Sequence, residues 1–182
     1  MKGFKQRKDM RLKYFNYRNK GAYFFTICTQ GRLPLFGKFI DNRLKLNSAG
    51  LMLEKVWQTC SSSNPSILID EFIVMPNHVH GIVWLVNDDS IIELHGKAKS
   101  TLEKHSLSLI DFIRDFKSLT THNYINGVKK YHWPPFNKKL WQRSYYDRII
   151  RNETELNNIR QYIKDNPKNW LHDRYNIEKR VF

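Results

Sequence analysis

Two hydrophobic periods alternate along this chain. The run Ala22-Tyr23-Phe24-Phe25-Thr26-Ile27-Cys28-Thr29 is aromatic and β-branched and stops at Gln30-Gly31, which predicts a first strand. A turn-rich stretch containing Gly31, Pro34 and Gly37 leads to Asn47-Ser48, a helix-capping pair. Leu51, Leu53, Val56 and Trp57 then recur at helical spacing, and that helix is expected to end near Cys60. The breaker cluster Ser61-Ser62-Ser63-Asn64-Pro65 precedes a second strand over 67–75, and Pro76-Asn77 turns it. His78 to Val86 is apolar on both faces, as in a central strand covered on both sides, and pairs with its predecessor as a tight hairpin. Residues 87–104 are polar and read as a loop. Leu109, Ile113 and Phe116 mark a helix over 106–117, with Arg114 and Lys117 off its stripe. After a basic, aromatic stretch with Pro134-Pro135, residues 140–150 read as a last strand. Asn152 and Glu155 mark the start of a final helix with Leu156, Ile159 and Ile163 as its stripe. The order predicts an α+β fold, a ferredoxin-like or RRM-like β-α-β-β-α-β sandwich with an antiparallel sheet and an added C-terminal helix.

Length and composition narrow the picture. A chain of 182 residues is expected to form one domain, over 21–182, behind a basic arm at 1–20. Apolar residues at 41% and aromatic residues at 14% exclude a disordered polymer. Lys and Arg number 31 against 17 Asp and Glu, a formal +14, and such a field points to a polyanion, nucleic acid first. A basic amphipathic membrane binder is the competing reading, and it ranks behind nucleic acid because the charge is spread through the chain instead of along one helix face. Two distant cysteines, Cys28 and Cys60, encode neither a disulfide framework nor a thiolate metal site, which fits a reducing cytosol. With no apolar targeting or membrane-spanning run, the expectation is a soluble, cytoplasmic, DNA-associated protein.

Candidate chemistry begins at His78-Val79-His80. Strand alternation puts both imidazoles on one face, a geometry that suits one divalent ion, and Gly81 is expected to leave room for a substrate backbone. An isolated pair of this kind is more often two strand histidines satisfied by hydrogen bonds. Here, however, the pair shares its face with Ile82 and Trp84, where polar rings need partners. On the last helix Tyr162 and Asn166 are four residues apart and share a face; packed over the histidines, they would bring a hydroxyl nucleophile and an amide oxygen ligand to the metal. The competing reading makes Tyr162 part of the apolar stripe. Expected nucleic-acid contacts are Lys5, Arg7, Lys8 and Arg11 in the arm, Arg114 and Lys117, then Lys130, Trp133, Lys138 and Lys139, and finally Arg143 and Arg148. Cations interleaved with aromatic platforms are how single strands are bound.

Four motifs in order carry a resemblance: Met75-Pro76-Asn77-His78-Val79-His80-Gly81-Ile82, Phe116-Lys117-Ser118, Trp141-Gln142-Arg143-Ser144-Tyr145-Tyr146-Asp147-Arg148-Ile149-Ile150-Arg151, and Tyr162-Ile163 with Asn166-Pro167. From about Ala22 to Trp170 the chain resembles the single-tyrosine HUH transposases, especially their REP-associated branch. The resemblance implies that His78 and His80 are metal ligands, that Tyr162 is the nucleophile, and that Asn166 stands where insertion-sequence relatives often carry a glutamine ligand. It implies cleavage of single-stranded DNA beside a hairpin through a covalent 5′-phosphotyrosine, with Mg²⁺ or Mn²⁺. It leaves open a monomer or a homodimer, because insertion-sequence relatives place the tyrosine helix on the partner's metal site.

Two other readings compete. Histidine-triad nucleotide hydrolases also pair histidines on a strand but need a further histidine where Ile82 stands. A non-catalytic RRM-like module would stack bases on sheet aromatics, and the histidine motif does not resemble its signature.

Overall fold

The computed structural model describes residues 20–86 and 107–176. The arm contacts Lys5, Arg7, Lys8 and Arg11, and the loop expected at 87–104, lie outside the described residues. Strands β1 (Gly21–Cys28), β4 (Ile67–Met75), β5 (His78–Leu85) and β6 (Tyr146–Ile150) form one sheet in the order β4-β5-β1-β6, and every neighbouring pair is antiparallel. Strand β5 is central, as its apolar run requires. Among the described residues no helix is long and apolar enough to cross a membrane.

Alternation sends Tyr23, Phe25, Ile27, Val79 and Val83 to one face, where helices α1 (Ser48–Ser63) and α2 (Leu109–Tyr131) cover them with Leu53, Trp57, Phe112, Ile113 and Phe116. Each such side chain contributes about 1.5–3 kcal/mol of apolar burial. The other face carries Ala22, Phe24, Thr26, His78, His80 and Ile82, and helix α3 (Glu153–Asp165) lies over it through Leu156 and Ile163. The α3 start follows the sequence closely. Asn152 Oδ1 accepts from Glu155 N–H, while the Glu155 carboxylate accepts from Arg151 N–H, one residue before the usual capping-box partner.

Four expectations need correction. The turn-rich stretch holds a hairpin of β2 (Gly37–Ile40) and β3 (Arg43–Leu46), closed by Asp41-Asn42 with φ of 49° and 57°, the left-handed pair of a type I′ turn. Helix α1 runs on to Ser63, taking in serines read as a breaker. Helix α2 runs well past residue 117 because its buried stripe continues through Thr120 and Tyr124 to Gly127. There the Trp133 ring folds back onto the missing side chain, and His132 closes the helix at φ 56°. The last strand is only Tyr146–Ile150. Ahead of it Trp141 makes a lone bridge to Thr29, and its indole donates to Thr120 Oγ1 at 3.0 Å.

The ladder of β4 is interrupted between Ile69 and Phe72. In a regular strand Asp70 and Glu71 would face opposite sides, yet both reach α3: Asp70 pairs with Arg160 through Nε at 2.9 Å and Nη2 at 2.5 Å, and Glu71 pairs with Lys164 at 2.7 Å. These pairs flank Tyr162 on the helix.

Candidate functional site

The histidines sit where β5 enters the sheet, fully buried and opposite the end of β1, with His78 across from Cys28 and His80 across from Thr26. Each ring is held at Nδ1: His80 contacts Thr26 Oγ1 at 2.8 Å, and His78 contacts Asn77 Oδ1 at 2.8 Å. The Asn77 amide nitrogen donates to the carbonyls of Arg32 (3.1 Å) and Tyr175 (2.8 Å). Its oxygen therefore faces the ring, and His78 carries its proton on Nδ1. That leaves His78 Nε2 unprotonated, with its lone pair 3.1 Å from His80 Nε2. Burial pushes both imidazoles well below their ordinary pKa, His80 to about 3, with the Arg174 charge acting in the same direction. Two neutral imidazoles with converging Nε2 atoms form a metal-ligand arrangement.

Helix α3 supplies the facing groups. Tyr162 Oη is 3.5 Å from His80 Nε2, and the Tyr162 ring packs edge-on to His80 and Phe24. The side chain is 45% exposed, so it is not a core member of the apolar stripe. Burial of its inner part raises the phenol pKa; Asp173 adds to this and Arg174 opposes it. Asn166 closes the helix, 3% exposed, with Nδ2 3.3 Å from His80 Nε2 and Oδ1 buried with no hydrogen-bond partner. An orphaned buried acceptor costs free energy unless something fills its valence.

After α3 the chain turns through 170–172 and lays three further residues over the histidines. Asp173 Oδ2 is 3.9 Å from His78 Nε2, and His78, His80 and Asp173 make a group that could hold a metal ion. The Tyr175 ring packs against His78 at 4.7 Å, and Arg174 donates to Tyr175 Oη at 2.6 Å. Trp170 also stacks on His78, at 6.1 Å. With the unpartnered Asn166 oxygen, the donor set of two imidazoles, a carboxylate and an amide oxygen fits a divalent cation.

The sequence reading missed Asp173, Arg174, Tyr175 and Thr26. Thr26 is legible only once its register opposite His80 is known. The other three lie in irregular chain, where no period marks a facing side. Gly81 is a correction: it points to the opposite face, where a Cβ would come within 2.6 Å of the Phe25 ring and 3.1 Å of the Phe72 ring, so core aromatics and not substrate fill its space.

The expected nucleic-acid contacts divide. Arg114, Lys117, Lys138, Lys139 and Arg143 line one groove of about 570 Å³ together with Gln142. Lys117 Nζ donates to the carbonyls of Gln142 (2.9 Å) and Arg143 (3.2 Å), tying α2 to that segment, and Arg114 pairs with Asp111 and Asp115. Gln142 N–H donates to the Cys28 carbonyl at 2.9 Å, which joins the groove to the histidine end of the sheet. Lys130 is exposed near the end of α2, outside the groove, and Trp133 packs on Gly127 and Tyr124. Arg148 lies on β6, across from Phe24, and pairs with Glu155 in the first turn of α3 at 2.6 Å.

The sequence matches no family model. An uncharacterised protein of Haemophilus influenzae is 32% identical over 188 residues, which span 97% of this chain and 96% of that protein. A solved structure of a REP-associated tyrosine transposase bound to a REP hairpin aligns at a TM-score of 0.56 and 22% identity. The alignment covers 88% of this chain and 74% of that one, and the fold is shared.

Proposed function

This chain belongs to one family with the Haemophilus influenzae protein and has the fold of a tyrosine transposase, and from that premise we propose that it is a metal-dependent enzyme cleaving and rejoining single-stranded DNA beside a hairpin through a covalent 5′-phosphotyrosine. The observation that carries the reading is the convergence, within one chain, of the Tyr162 hydroxyl and the Asn166 amide on His80 Nε2, beside the grouped ligand atoms of His78, His80 and Asp173. The strand order β4-β5-β1-β6 and the packing of α3 support a ferredoxin-like fold with the tyrosine on its added helix. Residues 21–182 then act as one cytoplasmic, DNA-associated domain, with the arm at 1–20 as a further DNA contact.

His78, His80 and Asp173, with Asn166 beside them, would hold the cation, Mg²⁺ or Mn²⁺. When bound, such an ion polarises a phosphoryl oxygen and orients the phosphate. The chain's own residues do the rest. Thr26 and Asn77 fix the imidazole rings. Tyr162, half exposed, offers its oxygen to the phosphorus of the scissile diester: a phenol-oxygen bond to phosphorus forms, the bond to the 3′ oxygen breaks, the phenol loses its proton, and the departing 3′ oxygen gains one. One phosphoester replaces another, so rejoining needs no nucleotide cofactor. The groove lined by Arg114, Lys117, Lys138, Lys139 and Arg143 supplies cations for the DNA backbone next to the site, with Lys130, Trp133 and Arg148 as outlying contacts.

The RRM-like binding module fares worse. Such a module stacks bases on an open sheet face, whereas here Phe24 is 7% exposed beneath α3. The test is a denaturing gel. Hairpin DNA with single-stranded flanks, incubated with the protein and Mn²⁺, should yield a protein-DNA adduct that disappears in Tyr162→Phe. Cleavage persisting in Tyr162→Phe would sink the nucleophile assignment.

A further inference from the structure

A second concave site lies behind the histidines, and the chemistry above makes no use of it. It is a pocket of about 420 Å³ between the β2–β3 hairpin and the 170–172 turn, formed by Lys38, Phe39, Ile40, Lys45, Pro76 and Trp170 among others, with no carboxylate in its lining. That volume suits a small planar ligand with an attached charged group. Its walls are apolar and aromatic. On the hairpin Lys38 stands directly across from Lys45, both exposed. Two like charges in direct opposition destabilise a strand pair unless an anion joins them.

The pocket is also wired to the histidine site. The Trp170 ring lies flat on Phe39, 5.5 Å between centroids and 6° between planes, and its other neighbour is His78 at 6.1 Å. Phe39, Trp170 and His78 thus form one stack leading from the pocket wall to a metal-ligand candidate. Pro76, also in the lining, is two residues from His78. A strand whose phosphate lay over the histidines would have its neighbouring nucleotides close to this pocket.

We propose that the pocket binds one nucleotide of the single strand flanking the hairpin, its base against Phe39 and Ile40 and its phosphate between Lys38 and Lys45; this deepens the strand-transfer reading and rests on it. Base contact with an apolar, aromatic wall explains the lining, and the paired lysines explain the charge. Because Trp170 lines the pocket and lies between Phe39 and His78 in the stack, occupancy changes its surroundings.

The experiment uses the full chain in EDTA, so that no cleavage occurs, with one hairpin in three forms: without flanks, with abasic flanks, and with short flanks of randomised sequence. Wild type should bind the randomised form about tenfold more tightly than the abasic form, and tryptophan emission should shift with the randomised form but not in Trp170→Phe. Ile40→Trp, which fills the pocket, should bring the two flanked forms to equal affinity. Lys45→Glu, on the exposed rim, should weaken both flanked forms and leave the flankless hairpin unchanged; it carries the test if Ile40→Trp does not fold. Equal binding of all three forms by wild type, or a tenfold preference surviving in Ile40→Trp, would overturn the pocket. The Mn²⁺ adduct separates the two readings. No adduct in wild type with the flank preference intact overturns strand transfer alone, and an adduct with the preference surviving in Ile40→Trp overturns the pocket alone.

Discussion

Asp173 stands 3.9 Å from His78 Nε2 in a segment that no periodicity could orient, while Asn166, chosen from its spacing to Tyr162, turns its amide nitrogen to His80 and keeps its oxygen buried and unpartnered. A carboxylate is the harder and more strongly charged donor for Mg²⁺ or Mn²⁺. Asp173→Ala should therefore weaken Mn²⁺ binding about tenfold or more in calorimetric titration, and an unchanged affinity would remove Asp173 from the ligand set. The histidines set a pH dependence. Both have folded-state pKa values below the ordinary 6.5, His80 at about 3, because burial disfavours their charged forms. Below pH 6.5 the unfolded chain binds protons that the folded chain refuses, so stability is full above that pH and is lost as pH falls toward 3. Each histidine contributes a slope of up to about 1.4 kcal/mol per pH unit. Urea midpoints of the metal-free protein should fall across that window, and a flat profile would contradict the buried neutral pair.

At the level of elements, the bulge in β4 and the two ion pairs it makes possible hold α3 at one axial position. Burial alone would raise the Asp70 pKa, yet hydrogen bonds from Arg160 and Trp84 bring it below the ordinary value, so the carboxylate is held charged. Arg160 lies half a turn from Tyr162. Arg160→Gln should cost about 1 kcal/mol of stability and, because small displacements of a nucleophile are expensive, slow single-turnover adduct formation about tenfold or more while hairpin affinity holds. Loss of affinity in step with rate, or no loss of rate, would count against a positioning role. The elements that the sequence reading missed share a cause. The β2–β3 hairpin is short and half exposed, so its alternation spans only Arg43-Leu44-Lys45-Leu46, and its Asp41-Asn42 turn falls within a stretch that Gly31, Pro34 and Gly37 already mark as turn-rich. The extension of α2 follows buried Thr120 and Tyr124, residues whose inward orientation depends on Trp141 and Trp133 packing against them.

Across the whole molecule, one chain supplies both histidines and the facing tyrosine. Mixing Tyr162→Phe with His80→Ala should therefore leave adduct formation at background. Recovery of activity in the mixture would mean that α3 serves a second copy's histidines. The basic groove and the histidine end meet through the Gln142–Cys28 hydrogen bond, so the positive charge evident from composition is gathered partly beside the site and not spread evenly.

What the sequence determined by itself were features set by local periodicity and motif order. Strand alternation put His78 and His80 on one face, helical spacing paired Tyr162 with Asn166, and four motifs in series pointed to the tyrosine transposase resemblance that the shared fold agrees with. Tertiary structure alone decided which face Gly81 serves, since only strand packing brings Phe25 and Phe72 against it. It alone brought in Asp173, because an irregular segment takes its direction from what it packs on: here Trp170 and Tyr175 against His78, and Asn77 holding the Tyr175 carbonyl.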